Sequence, residues 1–304
     1  MSSFESFSTT QTDRISHIVT HIDTIGDKKS DNNHKIWFGI SIVAFVLLYG
    51  LFGIDILGIL IFVGVLFVHE LGHFLTMRMF GYKDTRIVLL PFGAITFGRK
   101  EYRKAFEEYI IYMAGPLPGM LIGIWMLWNM TYYDFDVTSL NIMIISMLII
   151  INYVNLLPIY PLDGGRVVQL LFLLRYPRLQ FYFYVLSLCL LLFVTIYYQD
   201  WLLLIFVGLL AIGFRQNHAI SRVIKSITIA NPTKEDVAKA VLNDSKYTNE
   251  SLDFQSNVAS LVWYIIHIQK PSKKLIAFGG LFYFVMLLSP VIVVSVLVYN
   301  TSSL

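Results

Sequence analysis

The sequence predicts an all-α polytopic membrane protein of about six to seven transmembrane helices, with a small membrane-associated β-hairpin and a short soluble insert. Three observations carry this expectation. Of 304 residues, 56% are hydrophobic and 14% charged, against about 25% charged in ordinary soluble domains, and the mean hydropathy is +0.66. Uncharged runs long enough to cross a bilayer recur along the chain. Residues 87–98 form an apolar stretch broken by Pro91, Gly93 and Gly98, too short to cross as a helix. The net charge of +3 is small and dispersed, so no nucleic-acid partner is expected. The single cysteine, Cys189, excludes an internal disulfide or a thiolate metal cluster.

Taken in order, residues 1–35 are polar and lack the apolar core and small-residue cleavage site of a signal peptide. Residues 36–54 are uncharged and match one crossing; 56–80 match the second. Ile87–Leu90 and Ala94–Phe97 read as two short strands around Pro-Phe-Gly, with a plain loop as the alternative. Residues 109–133 give a third crossing, kinked by Gly115, Pro116, Pro118 and Gly119. Residues 137–162 give a fourth, broken at its end by Pro158 and Pro161. Residues 179–199 span once more. The run 201–214, uncharged over only 14 positions, suits a tilted span or a re-entrant helix. Residues 215–274 are charged throughout and carry a capping-box signal at Thr233 and Asp236, hence a soluble insert; within it 260–268 is apolar enough to pack on the membrane or the core. From Leu275 the chain is uncharged and holds the final span.

The chemistry is expected in the second span. His69 and His73 stand one helical turn apart, on one face, so that both imidazoles can reach one metal ion. Glu70 leaves the helix about 100° from His69, placed to polarise a water on the ion without replacing it. H-E-x-x-H arises by chance in about one chain in a hundred of this length. Its location adds weight, because ionisable groups at bilayer depth cost about 2–3 kcal/mol each on insertion scales and are seldom kept without use.

The second informative stretch is 151–166. Pro158 and Pro161 break the helix, and Gly164 and Gly165 allow a turn that displays Asp163 at an unwound end. Irregular backbone at membrane depth belongs where it is buried in protein or lines a wet cavity. Asp163 is therefore the candidate third ligand, completing a hydrolytic zinc set of two His and one carboxylate. Without the histidines, an Asx turn or helix cap is the better reading of Asp163.

His69, Glu70, Leu71, Gly72 and His73, together with Asn155, Leu156, Leu157, Pro158, Pro161, Leu162, Asp163, Gly164 and Gly165, resemble the two signature motifs of the site-2 protease family, intramembrane zinc metalloproteases. The likeness covers roughly residues 60–170, with Pro91–Gly93 and Ala114–Pro116 as further landmarks. It implies one Zn2+ per chain on His69, His73 and Asp163, Glu70 as general base on a zinc-bound water, and Asn155 as a substrate-positioning residue. It implies single-span membrane proteins as substrates, cut within the lipid bilayer in regulated intramembrane proteolysis. Two departures stand out: where many relatives read Ala-Gly-Pro-x-Ala-Asn, this chain has Leu117, Pro118 and Gly119, and Tyr160 replaces a frequent proline.

The expected organisation is a polar cytoplasmic segment at 1–35, a transmembrane metalloprotease core at 36–214, a soluble cytoplasmic insert at 215–274 and a C-terminal transmembrane helix at 275–304. Seven crossings place every Lys- and Arg-bearing loop on one side and leave Asp55, Asp134, Asp136 and Asp200 on the other. The positive-inside rule then puts the amino terminus and insert in the cytoplasm and the carboxyl terminus outside. Two alternatives share the site: a prenyl-peptide-processing type of zinc protease, whose third ligand is a Glu on a later helix, and a metal or proton transporter using the same His/Asp groups. Transport needs a continuous polar path, for which spans one, five and seven offer almost nothing.

Overall fold

The computed structural model describes residues 2–27, 39, 41–43, 50, 55–90, 93–100, 103–132, 138–199, 201–229 and 231–302. Six of the described helices are long and apolar enough to cross a membrane, and the described strands form one two-stranded antiparallel sheet. The expected crossing at 36–54 lies almost wholly outside the described residues, as does the Pro91-Phe92 tip of the hairpin. The chain divides into two compact units.

The unit that holds the candidate site comprises residues 30–99, 104–172 and 271–304. Helix α1 (Ser2–Asp27) belongs to the other unit; α2 (Ile56–Met79) is the centre of this one. The Asp55 carboxylate accepts from the N–H groups of Leu57 and Gly58, satisfying donors that the first helical turn leaves unpaired. At its other end Gly81, at φ +77°, turns the chain into β1 (Lys83–Leu90), which pairs with β2 (Gly93–Arg99) so that Ile87 faces Thr96 and Val88 faces Ile95. The apolar stretch at 87–98 is thus a hairpin rather than a loop.

The third crossing starts earlier than its uncharged run, at Ala105, because Glu107 and Glu108 are buried in the first turn of α3 (Ala105–Ala114). It bends at Gly115 and resumes as α4 (Pro116–Tyr132), where a leading proline gives up only an N–H that has no helical partner. Helix α5 (Ser139–Leu156) ends before Pro158, and Asp163 opens the short α6 (Asp163–Val168), which runs on as a π turn through Leu173. The last crossing, α11 (Gly280–Ser302), follows a π turn at Leu275–Gly279. It is tied to the unit by two phenols: Tyr283 donates to the Leu156 carbonyl (2.7 Å) and Tyr109 to that of Gly279 (2.8 Å). Both bonds satisfy carbonyls next to irregular helix ends, where hydrocarbon offers no substitute partner.

The second unit comprises residues 1–29, 100–103 and 173–270. Its helices are α1, α7 (Pro177–Tyr198), α8 (Trp201–Ser226), α9 (Lys234–Leu242) and α10 (Leu252–His267). The uncharged run at 201–214 is only the first half of the 26-residue α8, which carries Arg215, Arg222 and Lys225 on its extension. The amino-terminal segment, polar on average, is an amphipathic helix. Ile15, Ile18, Val19 and Ile22 recur at helical spacing and bury against Val237, Val241, Val258 and Val262 of α9 and α10. The apolar face of 252–267 is consequently spent on α1, α8 and α9, a third option beside membrane and core.

The Thr233–Asp236 signal is a full capping box at the start of α9. The Thr233 backbone N–H holds the exposed Asp236 carboxyl below the ordinary carboxylate range. Partial burial opposes the charge on Asp244, but Arg222, donating through Nε (3.0 Å) and Nη2 (3.1 Å), together with the Lys246 N–H, outweighs it and holds this carboxyl low as well. Groups with depressed folded-state pKa stabilise the folded state above their unfolded value and lose that contribution as pH falls through the folded one. Amide protection across 234–267 in the detergent-solubilised protein, measured relative to the intrinsic exchange rate at each pH, should therefore fall from about pH 4 downward. Asp244→Asn should remove part of that dependence; an unchanged profile in the variant would eliminate the Arg222 pair as its source.

Candidate active site

Helix α2 carries His69, Glu70 and His73 where α3, α4 and α5 pack against it, and all three are buried. Close packing here depends on two glycines. A Cβ on Gly72 would lie 1.9 Å from the Ala114 carbonyl oxygen, and one on Gly115 would lie 2.2 Å from His73 Nε2 and 2.9 Å from His69 Nε2. The bend between α3 and α4 is therefore pressed onto the two imidazoles by the absence of side chains. The kink foreseen at Gly115-Pro116 is the site's wall.

The chain brings Asp163 to the same point from 90 residues away. Its Oδ2 is 3.1 Å from His69 Nε2 and 3.1 Å from His73 Nε2, and the two Nε2 atoms are 3.2 Å apart. Gly164 and Gly165 permit this, since a Cβ on either would strike main-chain atoms of Leu156 or Ile159 at 2.0–2.4 Å. The Arg166 Nε donates back to the Pro161 carbonyl (3.2 Å), closing the turn that presents Asp163.

Each histidine is oriented through its other nitrogen. His73 Nδ1 lies 2.7 Å from the Ile111 carbonyl, which can only accept, so Nδ1 carries the proton. Asn152, completely buried, donates through Nδ2 to the Leu148 carbonyl (2.7 Å), which leaves its Oδ1 to accept from His69 Nδ1 (2.9 Å). Both Nε2 lone pairs therefore face Asp163. Three ligands at about 2.0–2.2 Å from a tetrahedral ion stand about 3.3 Å from one another, and this near-equilateral triangle of two imidazoles and a carboxylate fits zinc on both donor type and size.

Glu70, His69 and His73 also lie with ligand atoms within 4.8 Å of one another, so the helix alone offers a second possible donor set. The Asp163 set is the tighter one. Moreover, the Thr96 hydroxyl of β2 donates to Glu70 Oε2 at 2.6 Å, which holds that carboxylate beside the triangle rather than in it.

Asn155, the expected substrate-positioning residue, is half-buried and donates to the Ile151 carbonyl of its own helix (3.0 Å). A different amide, that of Asn152 one turn earlier, meets His69. Nothing in the local pattern separates the two asparagines, although a lone amide in mid-span is itself a signal of use. The space for it comes from Gly119, the position at which the resembling motif has Asn: a Cβ there would lie 2.2 Å from Asn152 Nδ2. Thr96 was likewise invisible as a partner of Glu70, 26 residues away. Removing an outer partner of a ligating histidine typically costs ten- to a hundredfold in metal affinity. Asn152→Leu should show about that loss in zinc titration of the solubilised protein, with the fold retained by circular dichroism; unchanged affinity would make Asn152 a packing residue only.

The fold and this site together define a class: an integral membrane protein with a buried two-histidine, one-carboxylate centre beside a second carboxylate. Residues 57–138 match the model of peptidase family M50. Over 127 residues the chain is 33% identical to a protein named zinc metalloprotease of Methanocaldococcus jannaschii, and over 121 residues 36% identical to stage IV sporulation protein FB of Bacillus subtilis. These matches cover 41% and 37% of this chain, and 37% and 39% of the two relatives' lengths. A solved structure of the site-2 protease from Methanocaldococcus jannaschii superposes with a TM-score of 0.44 at 23% identity, covering 64% of this chain and 92% of that one. The likeness to the M50 family thus lies in residues 57–138, and the chain spans less than two fifths of the length of the two curated relatives it matches.

Proposed function

We propose that this protein is an intramembrane zinc metalloendopeptidase that hydrolyses a peptide bond in transmembrane segments of membrane proteins. The observation that carries the reading is the 3.1, 3.1 and 3.2 Å triangle of His69, His73 and Asp163, with both histidines oriented by oxygen acceptors behind them. These three residues would hold one zinc ion per chain, which when bound supplies a Lewis acid for the scissile carbonyl and lowers the pKa of water. Glu70 is the general base: with Oε2 engaged by Thr96, Oε1 accepts the proton of the attacking water and returns it to the departing amide nitrogen.

A peptide bond inside a transmembrane helix is shielded by its own main-chain hydrogen bonds and must be unwound first. The β1–β2 hairpin supports a way of holding the unwound strand, by addition of substrate main chain to a strand edge, with Asn155 near the scissile bond. Substrates bearing Gly or Pro near the cleavage site should be cut faster. The charge asymmetry of the loops supports a cytoplasmic amino terminus and insert.

The test is reconstitution with tagged single-span substrates, with zinc content read on the same preparations. Wild-type protein should hold about one zinc per chain, and His69→Ala, His73→Ala and Asp163→Ala should each lose it. Full zinc retention by Asp163→Ala would remove Asp163 from the site. Reconstituted, zinc-loaded wild type that leaves every tagged substrate intact would tell against proteolysis.

A further inference from the structure

The contact between β2 and Glu70 goes beyond what binding metal or packing a hairpin requires. Thr96 Oγ1 lies 2.6 Å from Glu70 Oε2 and 3.1 Å from the carbonyl oxygen of the same residue. A threonine hydroxyl has one proton to give. The carboxylate is the nearer acceptor and the charged one, and bonds to ionised acceptors are about twice as strong as neutral ones. The Glu70 carbonyl, in mid-helix, has the Phe74 N–H as its helical partner. The hydroxyl therefore belongs to Oε2.

We infer that Thr96 is a positioning residue for the base: by holding Oε2 it fixes the Glu70 carboxylate so that Oε1 faces the reacting centre. A glutamate side chain has three rotatable bonds, and a carboxylate beside two imidazoles and Asp163 has competing places to go. Free rotation would let it swing onto the ion as a fourth ligand or away from it, and either removes the base. Thr96 stops both with one hydrogen bond from an element outside α2. Because the donor sits on β2, opposite Ile87 in the hairpin register, the base is also geared to the hairpin proposed to receive substrate. A shift of β2 by one residue would turn position 96 to the opposite face and release the carboxylate.

This inference rests on the proteolytic reading above, and its test separates the two. Thr96→Val removes the hydroxyl at nearly constant volume, and Thr96→Ser restores it. With zinc content unchanged in both, Thr96→Val should lower kcat about ten- to a hundredfold at nearly constant KM, and Thr96→Ser should recover most of it. A thermal double-mutant cycle of Thr96→Val with Glu70→Ala, read on the metal-loaded protein, should be clearly non-additive. Additive melting shifts would show that the contact carries no energy and overturn the inference whatever the activity. So would equal losses in Val and Ser, which mean packing; a change confined to KM, which means substrate contact; or full kcat in Thr96→Val. Loss of zinc in Thr96→Val would overturn it too, since Thr96 would then be acting on the ligands. If wild type is inactive while the cycle is coupled, proteolysis fails and Thr96 is reduced to an orienting contact without a catalytic use.

Discussion

Replacing Glu70 by Gln is expected to leave about one zinc per chain while peptide hydrolysis falls by about a hundredfold to ten-thousandfold, the range that removal of a general base produces. The two halves of this result follow from different parts of the geometry. Zinc stays because the three donor atoms at 3.1–3.2 Å from one another come from His69, His73 and Asp163, none of which is touched. Hydrolysis goes because the amide that replaces the carboxylate cannot take a proton from water at any pH the protein survives. Thr96 can still donate to the amide oxygen, so the side chain keeps its place and the loss is one of chemistry rather than position. The measurement is zinc by mass spectrometry or metal chelation on the same reconstituted sample used for cleavage. Zinc lost along with activity would instead favour the set of His69, Glu70 and His73, which the helix also brings within 4.8 Å. Activity retained would end the hydrolytic mechanism.

Gly115→Ala should have an effect nearly as large and by a different route. Its methyl would be placed 2.2 Å from His73 Nε2, 2.4 Å from His73 Cε1 and 2.9 Å from His69 Nε2. Carbon and nitrogen cannot approach so closely, so either the imidazoles turn or α3 moves off α2. Turning the imidazoles breaks the Nδ1 bonds to Ile111 and Asn152; moving α3 carries the Ile111 carbonyl away from His73. Either way zinc affinity should fall about a hundredfold or more, with stability reduced by about 1–3 kcal/mol, the usual cost of overpacking. Gly208→Ala, where nothing stands within 4 Å of the added methyl, is the matched control and should bind zinc normally. Wild-type affinity in Gly115→Ala would show that α3 does not press on the ligands.

Much of this was open to inspection in the sequence, for physical reasons that are local. Solvent partition writes a membrane span into composition, and so the described spans lie close to the uncharged runs. The His69/His73 pair needed only the 3.6-residue period, and the break before Asp163 only the backbone chemistry of proline and glycine. The hairpin was legible as two short runs around glycine. What averaged out was periodicity inside a polar composition: Ile15, Ile18, Val19 and Ile22 mark an amphipathic face that a count of Ser, Thr and Asp hides. The end of α8 was hidden likewise, because helices do not stop where charge begins.

The sequence by itself determined the solvent of this protein and the spacing of its two histidines, because each follows from bonds and contacts within a few residues, and it marked Glu70 and Asp163 as candidates for base and third ligand. Only the tertiary structure decided which atoms meet. Asp163 reaches the histidines from 94 and 90 residues away, Asn152 orients His69 from 83 residues away, and Thr96 reaches across 26 residues to Glu70. Those choices turn on missing side chains at Gly72, Gly115 and Gly119, which set how closely α2, α3, α4 and α5 approach. Helix approach distance is a property of two surfaces at once, so it cannot be read from either strip of sequence alone.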